Sequence, residues 1–320
     1  MVLLVLPACS RDGGGPLLDS RTPPSLGPRF YPPEGWAFGV LSLAGAPRMR
    51  YGAVAPDTPP RADVVILPAY GESAEVYYET ARDLTGRGYA VWVLDAAGQG
   101  GSERFPGPTD LGRSNGFGVD AAALEGLLTQ VVRPSAVRPV VVAASGASAL
   151  TALLAAEHGR APVDGFFLWD PALSSPAGAA RAAEMTRWRL GGLRAEGGQA
   201  WTRPTRDLSG RATLAAAWQL ADPDLRMGGP AWEWIAAEAE AQREAFAPDR
   251  KKGLRSPVLV QAALASGADR LCLGAVRCQV LDAPPGPLPR HLAADPVRNA
   301  WLAALSGFVE ARIAERVHTQ

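Results

Sequence analysis

The sequence predicts an α/β fold: a mostly parallel sheet with helices on both faces, interrupted late in the chain by a helical insert. Three observations carry this. Short aliphatic, β-branched runs alternate with helical patterns between residues 62 and 169, and such alternation specifies parallel strands joined by covering helices. The alternation then gives way to an irregular helical stretch over 172–255, and strand character returns at 257–263 and 276–281. Finally, the run Val140-Val-Val-Ala-Ala-Ser-Gly-Ala-Ser148 passes without a spacer into an alanine- and leucine-rich stretch. That is a strand, a turn made only of small residues, and a helix.

The elements follow in order. Residues 1–30 read as a leader and flexible arm, because 10–33 are rich in Gly, Pro, Arg and Ser and have no apolar period. The core is expected over 31–171 and 256–320, with the insert at 172–255. An early strand falls at 49–55, and the run Ala62-Asp-Val-Val-Ile-Leu-Pro68 reads as a buried strand. A helix with Val76, Thr80 and Leu84 four apart is ended by Gly86 and Gly88. Strands are expected at 89–94 and 163–169, and between them a helix carries Leu124, Leu127, Leu128 and Val131 on one face. The insert holds Trp188, Trp201, Trp218, Trp232 and Trp234, five of the nine tryptophans. These read either as core or as lining for an apolar ligand. Val297, Trp301, Leu305 and Phe308 mark a closing helix.

Composition removes several function classes. Thirty-two basic and 32 acidic residues give a formal charge of zero, so the basic face that nucleic acid requires is not expected. No apolar run approaches the ~20 residues of a membrane-spanning helix. Gly98-Gln-Gly-Gly101 suggests a phosphate loop, but Glu103-Arg-Phe-Pro-Gly-Pro follows where a helix should open, which argues against a dinucleotide site. Cys272 and Cys278 have no His or Cys at metal-ligand spacing, so a zinc site is not expected, and the chemistry that the motifs below imply calls for neither a metal nor an organic cofactor. The pair reads equally as a short disulfide outside the cytoplasm or as two apolar thiols. Met1-Val-Leu-Leu-Val-Leu-Pro-Ala-Cys9 resembles the tail of a bacterial lipoprotein signal, although it lacks a basic start and carries Pro7. On that reading Cys9 is lipidated and tethers an extracytoplasmic protein to a membrane. A chance apolar leader is the alternative.

Ser145 is the candidate nucleophile. A serine at a sharp strand-to-helix turn is pushed out of the end of the sheet beside the first helical N–H groups. In the pattern Gly-x-Ser-x-Gly both glycines are alanine here, so the small-residue requirement is kept. The structural alternative is an ordinary βα turn with Ser145 or Ser148 as helix N-cap.

Ala69-Tyr-Gly-Glu-Ser73, the following Tyr-Tyr-Glu-Thr-Ala-Arg-Asp-Leu, the strand Gly-Tyr-Ala-Val-Trp-Val-Leu-Asp95, the loop Gly98-Gln-Gly-Gly-Ser-Glu-Arg104 and the small-residue turn together resemble the lysophospholipase and monoacylglycerol-lipase-like α/β-hydrolases (serine aminopeptidase S33 type). The resemblance covers about 50–170 well and 255–315 loosely. It implies an eight-stranded sheet, a helical cap after the sixth strand, and a Ser…Asp…His triad in that chain order. Carried over, it assigns Ser145 as nucleophile and the backbone N–H groups of Tyr70 and Gly146 as oxyanion hole. Glu72 matches the family's acidic loop residue and reads as a carboxylate that stabilises the loop. Leu288 stands where the family has its histidine. His291, three residues on, is the candidate base, since His158 lies late on a helix and His318 is terminal. Asp269 is the candidate acid, with Asp170 before Pro171 as the alternative. The function implied is hydrolysis of hydrophobic, lysophospholipid- or monoacylglycerol-like esters. The displaced histidine and acid equally describe an impaired relative that binds a lipid or a partner without turnover.

Overall fold

The computed structural model describes residues 15–160, 162–247, 254–262, 268–272, 275, 277–283 and 290–318. Eight strands form one sheet: β1 (Ala37–Leu41), β2 (Met49–Val54), β3 (Ala62–Leu67), β4 (Tyr89–Leu94), β5 (Val140–Ser145), β6 (Gly165–Trp169), β7 (Val258–Ala262) and β8 (Cys278–Asp282). Their order is β1-β2-β4-β3-β5-β6-β7-β8. The pairs β1–β2 and β2–β4 are antiparallel and the remaining pairs parallel. The strands from 49 onward fall where the runs of β-branched residues place them. β1 went unread, because Gly39 interrupts an otherwise short run. Its glycine has a tertiary cause: a Cβ there would stand 2.3 Å from the Tyr51 ring on β2.

Helices α1 (Tyr78–Thr85), α2 (Phe117–Gly126), α3 (Ser148–His158) and α8 (Asp295–His318) cover the sheet. α1 is preceded by a 3-10 turn, Ala74–Tyr77, and α2 continues as a π-helical turn, Leu127–Val132. Strand residues alternate between the two faces. Val140, Val142 and Ala144 pack with Leu124, Leu127 and Leu150 under α2 and α3. Val141, Ala143, Phe167 and Trp169 pack with Tyr77, Leu84, Trp301 and Leu305 under α1 and α8.

Between β6 and β7 lie α4 (Ala179–Arg187), α5 (Leu214–Ala221) and α6 (Trp232–Ala245). Of the insert's tryptophans, Trp218, Trp232 and Trp234 are buried, Trp201 is half-buried and Trp188 is exposed. α7 (Asp269–Cys272) is joined to β8 by a disulfide, Cys272–Cys278, which decides between the two readings of that pair. Cys9 and Leu288 lie outside the described residues. No helix among the described residues is long and apolar enough to cross a membrane.

A buried ion cluster fixes the loops that leave β3 and β4. Arg50, fully buried on β2, donates through Nη1 and Nη2 to Glu75 at 2.7 and 2.9 Å and through Nε to Asp95 Oδ2 at 2.8 Å. Asp95 also accepts the N–H groups of Ala74 and Gly101, both at 2.9 Å. Burial and the opposing pull of Arg50 leave Asp95 raised, whereas the same guanidinium overcomes burial at Glu75 and holds it below its ordinary value. The glycine loop 98–101 therefore wraps a guanidinium of the protein itself.

Candidate active site

Three connections meet at the carboxyl end of the parallel strands: 68–77 after β3, 95–104 after β4, and the turn from β5 into α3. In a nucleophile elbow the serine is the strained residue at the sharp turn, with its hydroxyl exposed above the sheet. Here the left-handed residue is Gly146, at φ +55°, and Ser145 does not have positive φ. Ser145 is the last residue of β5, paired with Trp169, and is 2 % exposed. This corrects the expectation of an exposed hydroxyl at 145. By the two-residue period Ser145 follows Val141 and Ala143 onto the face under α1 and α8.

A Cβ built on Gly146 would meet only the Ala69 Cβ, at 3.8 Å. A Cβ at that position would therefore find space beside the loop after β3, although the positive φ favours glycine there. The N-cap reading is also corrected: Ala147 occupies the N-cap without a side-chain bond, and Ser148 is the first helical residue. The Ser148 hydroxyl accepts the Ser145 N–H at 3.1 Å and lies 2.9 and 2.7 Å from the carbonyl oxygens of Leu67 and Ser145, to which it donates. It thereby ties the turn to β3.

The Ser145 Oγ has no hydrogen-bond partner among the described residues, and neither do the two ring nitrogens of His291. The base–nucleophile bond that activation requires is thus not made. His291 sits in the 3-10 turn Arg290–Leu292 and is 1 % exposed. Its ring stacks on Tyr77 with centroids 4.4 Å apart, and Trp169 and Trp301 close around it at 6.1 and 5.8 Å. The nearest carboxylate is Glu72, with Oε1 3.4 Å from Nε2. Burial, with Arg211 and Arg298 adding to it, lowers the His291 pKa to about 3. A general base works best with a pKa near the operating pH, so this imidazole is a weak one.

Glu72 holds its loop, as the sequence reading anticipated. Its Oε2 accepts the Ala69 N–H at 3.0 Å and the Tyr77 hydroxyl at 2.7 Å. Burial raises its pKa to about 7 against those two donors. The Tyr77 phenol, pushed well above its ordinary value by burial and by Glu72, is also close enough to feel the Ser145 hydroxyl. Ser145, Tyr77, Glu72 and His291 therefore gather in one buried polar group beneath the turn.

Asp269 and His158 do not join this group, and Asp170 stands next to it in sequence, directly after Trp169, the partner of Ser145. Asp269 opens α7 with its side chain exposed to solvent, and it makes no hydrogen bond to the buried His291 nitrogens. Asp170 follows β6 at φ +43°, its N–H bonded to the Gln261 carbonyl at 2.9 Å. His158 pairs with Glu125, Nδ1 to Oε1 at 2.7 Å.

The Gly146 N–H donates to the Trp169 carbonyl at 3.3 Å. With the apex at 146, the N–H that follows it is that of Ala147. Neither that group nor the Tyr70 N–H donates to any described residue, so two backbone donors remain at the mouth of the sheet. The Tyr70 side chain is drawn into the insert: its hydroxyl donates to the Gly228 carbonyl at 2.9 Å and its ring packs against Trp234 at 4.6 Å. Tyr77 and Trp169 were not singled out from the sequence, Trp301 was read only as part of a closing helix, and Gly146 was read as an oxyanion donor rather than as the apex. Two registers of the elbow place small residues correctly, with Ser145 between Ala143 and Ala147 or Gly146 between Ala144 and Ser148, and only backbone geometry separates them.

Among the described residues, no group of three or more His, Cys, Asp or Glu side chains is placed to hold a metal ion.

Comparison with known proteins agrees with this frame. Residues 58–286 match the family described as serine aminopeptidase, S33. No curated protein matches in sequence. Similar solved structures include a monoglyceride lipase from Saccharomyces cerevisiae (13 % identity, 86 % of this chain and 94 % of that one, TM-score 0.65). A monoacylglycerol lipase from Paleococcus ferrophilus (17 %, 82 % and 98 %, 0.62) and a carboxyl esterase from Bacillus coagulans (15 %, 87 % and 99 %, 0.66) share the same fold. With an eight-stranded sheet, an insert after β6 and a family match over more than half its length, the chain belongs to the serine aminopeptidase, S33 family of α/β hydrolases.

Proposed function

We propose that this α/β hydrolase binds a hydrophobic, carbonyl-bearing small molecule at the mouth of the sheet and does not turn it over through an acyl-enzyme. The observation that carries this reading is the glycine at the elbow apex, at φ +55°. The position from which a nucleophile is presented has no side chain, and the neighbouring serine is buried without a base. The Tyr70 and Ala147 N–H groups supply two donors for a carbonyl or carboxylate oxygen. Tyr70, Phe117 and Trp234, packed together between the loop and the insert, favour an apolar remainder. The fold neighbours include lipases and an esterase, and the ligand proposed here is of that ester or lipid class.

The hydrolytic alternative is supported by the family match over residues 58–286 and by the buried group that joins Ser145, Tyr77, Glu72 and His291 at the same strand ends. In it, Ser145 attacks a lysophospholipid- or monoacylglycerol-like ester, His291 takes its proton, Asp269 orients the imidazole, and the N–H groups of Tyr70 and Gly146 hold the oxyanion. A fluorophosphonate probe separates the two. The intact chain is expected to remain unlabelled at Ser145 and to cleave p-nitrophenyl esters no faster than Ser145→Ala. Labelling at Ser145 that disappears in His291→Ala would establish the hydrolytic reading instead.

A further inference from the structure

The insert carries an exposed patch that the mouth of the sheet does not use. Trp188, Leu190 and Leu193 are 71, 43 and 53 % exposed, and Arg187 and Arg189 beside them are exposed too. Neither arginine forms an ion pair with a described carboxylate, unlike Arg181, which pairs with Glu184. The inner face of α4 has a core of its own, built on Ala182, Ala195 and Trp232, so the outward side chains are not needed to fold the segment. The backbone under them is fixed: the Trp232 N–H donates to the Leu193 carbonyl at 3.0 Å and the Glu233 N–H to the Gly191 carbonyl at 2.8 Å.

The end of α4 adds a second, independent observation. The Arg189 N–H bonds the Thr186 carbonyl at 3.0 Å and the Leu190 N–H the Met185 carbonyl at 2.8 Å. This is the pairing that closes a helix through one left-handed residue, most often glycine. α3 also ends on a left-handed residue, Gly159 at φ +60°, whose N–H bonds the Ala155 carbonyl. α4 ends on Arg189 at the same φ, so a guanidinium is kept where the backbone favours glycine, between two outward apolar side chains.

From this patch we infer that the insert docks the protein onto an anionic lipid surface, whether or not the mouth of the sheet performs chemistry. Tryptophan and leucine enter the boundary between headgroups and acyl chains, and the arginines meet lipid phosphates. Arg181 pairs with Glu184 and Arg194 with Asp110, which leaves Arg187 and Arg189 as the two cations beside the apolar side chains, in a chain whose formal charge is zero.

The test uses the full chain carrying Cys9→Ser, which cannot be acylated, in flotation with phosphatidylglycerol–phosphatidylcholine vesicles and with pure phosphatidylcholine. Binding is expected only to the anionic vesicles and is weakened by salt. Arg187→Gln with Arg189→Gln should reduce it on the order of thirtyfold, and Trp188→Ala with Leu193→Ala at least about tenfold. Arg189→Gly should weaken binding while the melting temperature holds or rises, a readout that a purely structural arginine would not give. No association with anionic vesicles, or association undiminished in variants with unchanged melting temperature, overturns the inference. So would retention by polyglutamate alone, which would turn the patch to an acidic protein partner.

Discussion

Replacing Arg50 by alanine is expected to cost about 3–5 kcal/mol of stability, measured by urea unfolding monitored through the tryptophans, because it strands two buried carboxylates. Glu75 and Asp95 are both fully enclosed, and the guanidinium is their shared counter-charge. A loss of that size is a large part of the roughly 5–15 kcal/mol that holds a typical domain together. The charge argument makes a further demand. Restoring neutrality with Glu75→Gln and Asp95→Asn in an Arg50→Met background should recover part of the loss, since a buried ion cluster replaced whole is often tolerated where a broken one is not. A cost below about 1 kcal/mol for Arg50→Ala, the range of an exposed pair, would show that the cluster is not the anchor of the loops after β3 and β4.

Glu72 and His291 should tilt the pH dependence of stability in opposite directions. The His291 pKa is lowered to about 3, below its ordinary value of about 6.5. Between these values the unfolded chain binds a proton that the folded protein refuses, so this group's contribution falls as pH drops from about 6.5 to 3. The Glu72 pKa is raised to about 7. From about 4.5 upward the unfolded chain releases a proton that the folded protein retains, so this contribution falls as pH rises to 7. Over pH 4.5–6.5 the two cancel, and these groups leave the intact protein flat. Glu72→Gln should then gain about 3 kcal/mol in stability on going from pH 4.5 to 6.5, and His291→Phe should lose a similar amount over the same window. Urea midpoints across that range measure both slopes. Two variants that parallel the parent curve would mean that neither group is held in the protonation state its burial imposes.

The same pair explains why the site was harder to read than the fold. Strands β3 to β7 were legible because each is a largely apolar run with turn residues at its ends. A strand buried on both faces needs little more than that. Glu72 was legible too, as a carboxylate short enough to fold back on the N–H groups of its own loop. His291 was picked out only as the histidine nearest the expected place. Its enclosure depends on Tyr77 and Trp169, both distant in sequence, as well as on Trp301 of the following helix, and no local pattern encodes it.

What the sequence determined by itself is the frame: an α/β sheet whose β5 runs through a turn of small residues into a helix, because tight passage of strand and helix excludes larger side chains. What only the tertiary structure decided is which residue stands at the bend. Alanine, serine and glycine satisfy the size requirement in either register. The hydrogen bonds of the Gly146 N–H to the Trp169 carbonyl of β6 and of the Ser148 hydroxyl to the Leu67 carbonyl of β3 carry the strand one residue further and leave glycine at the apex. A single step along a strand reverses the face to which a side chain points, and here that step puts the serine hydroxyl inside.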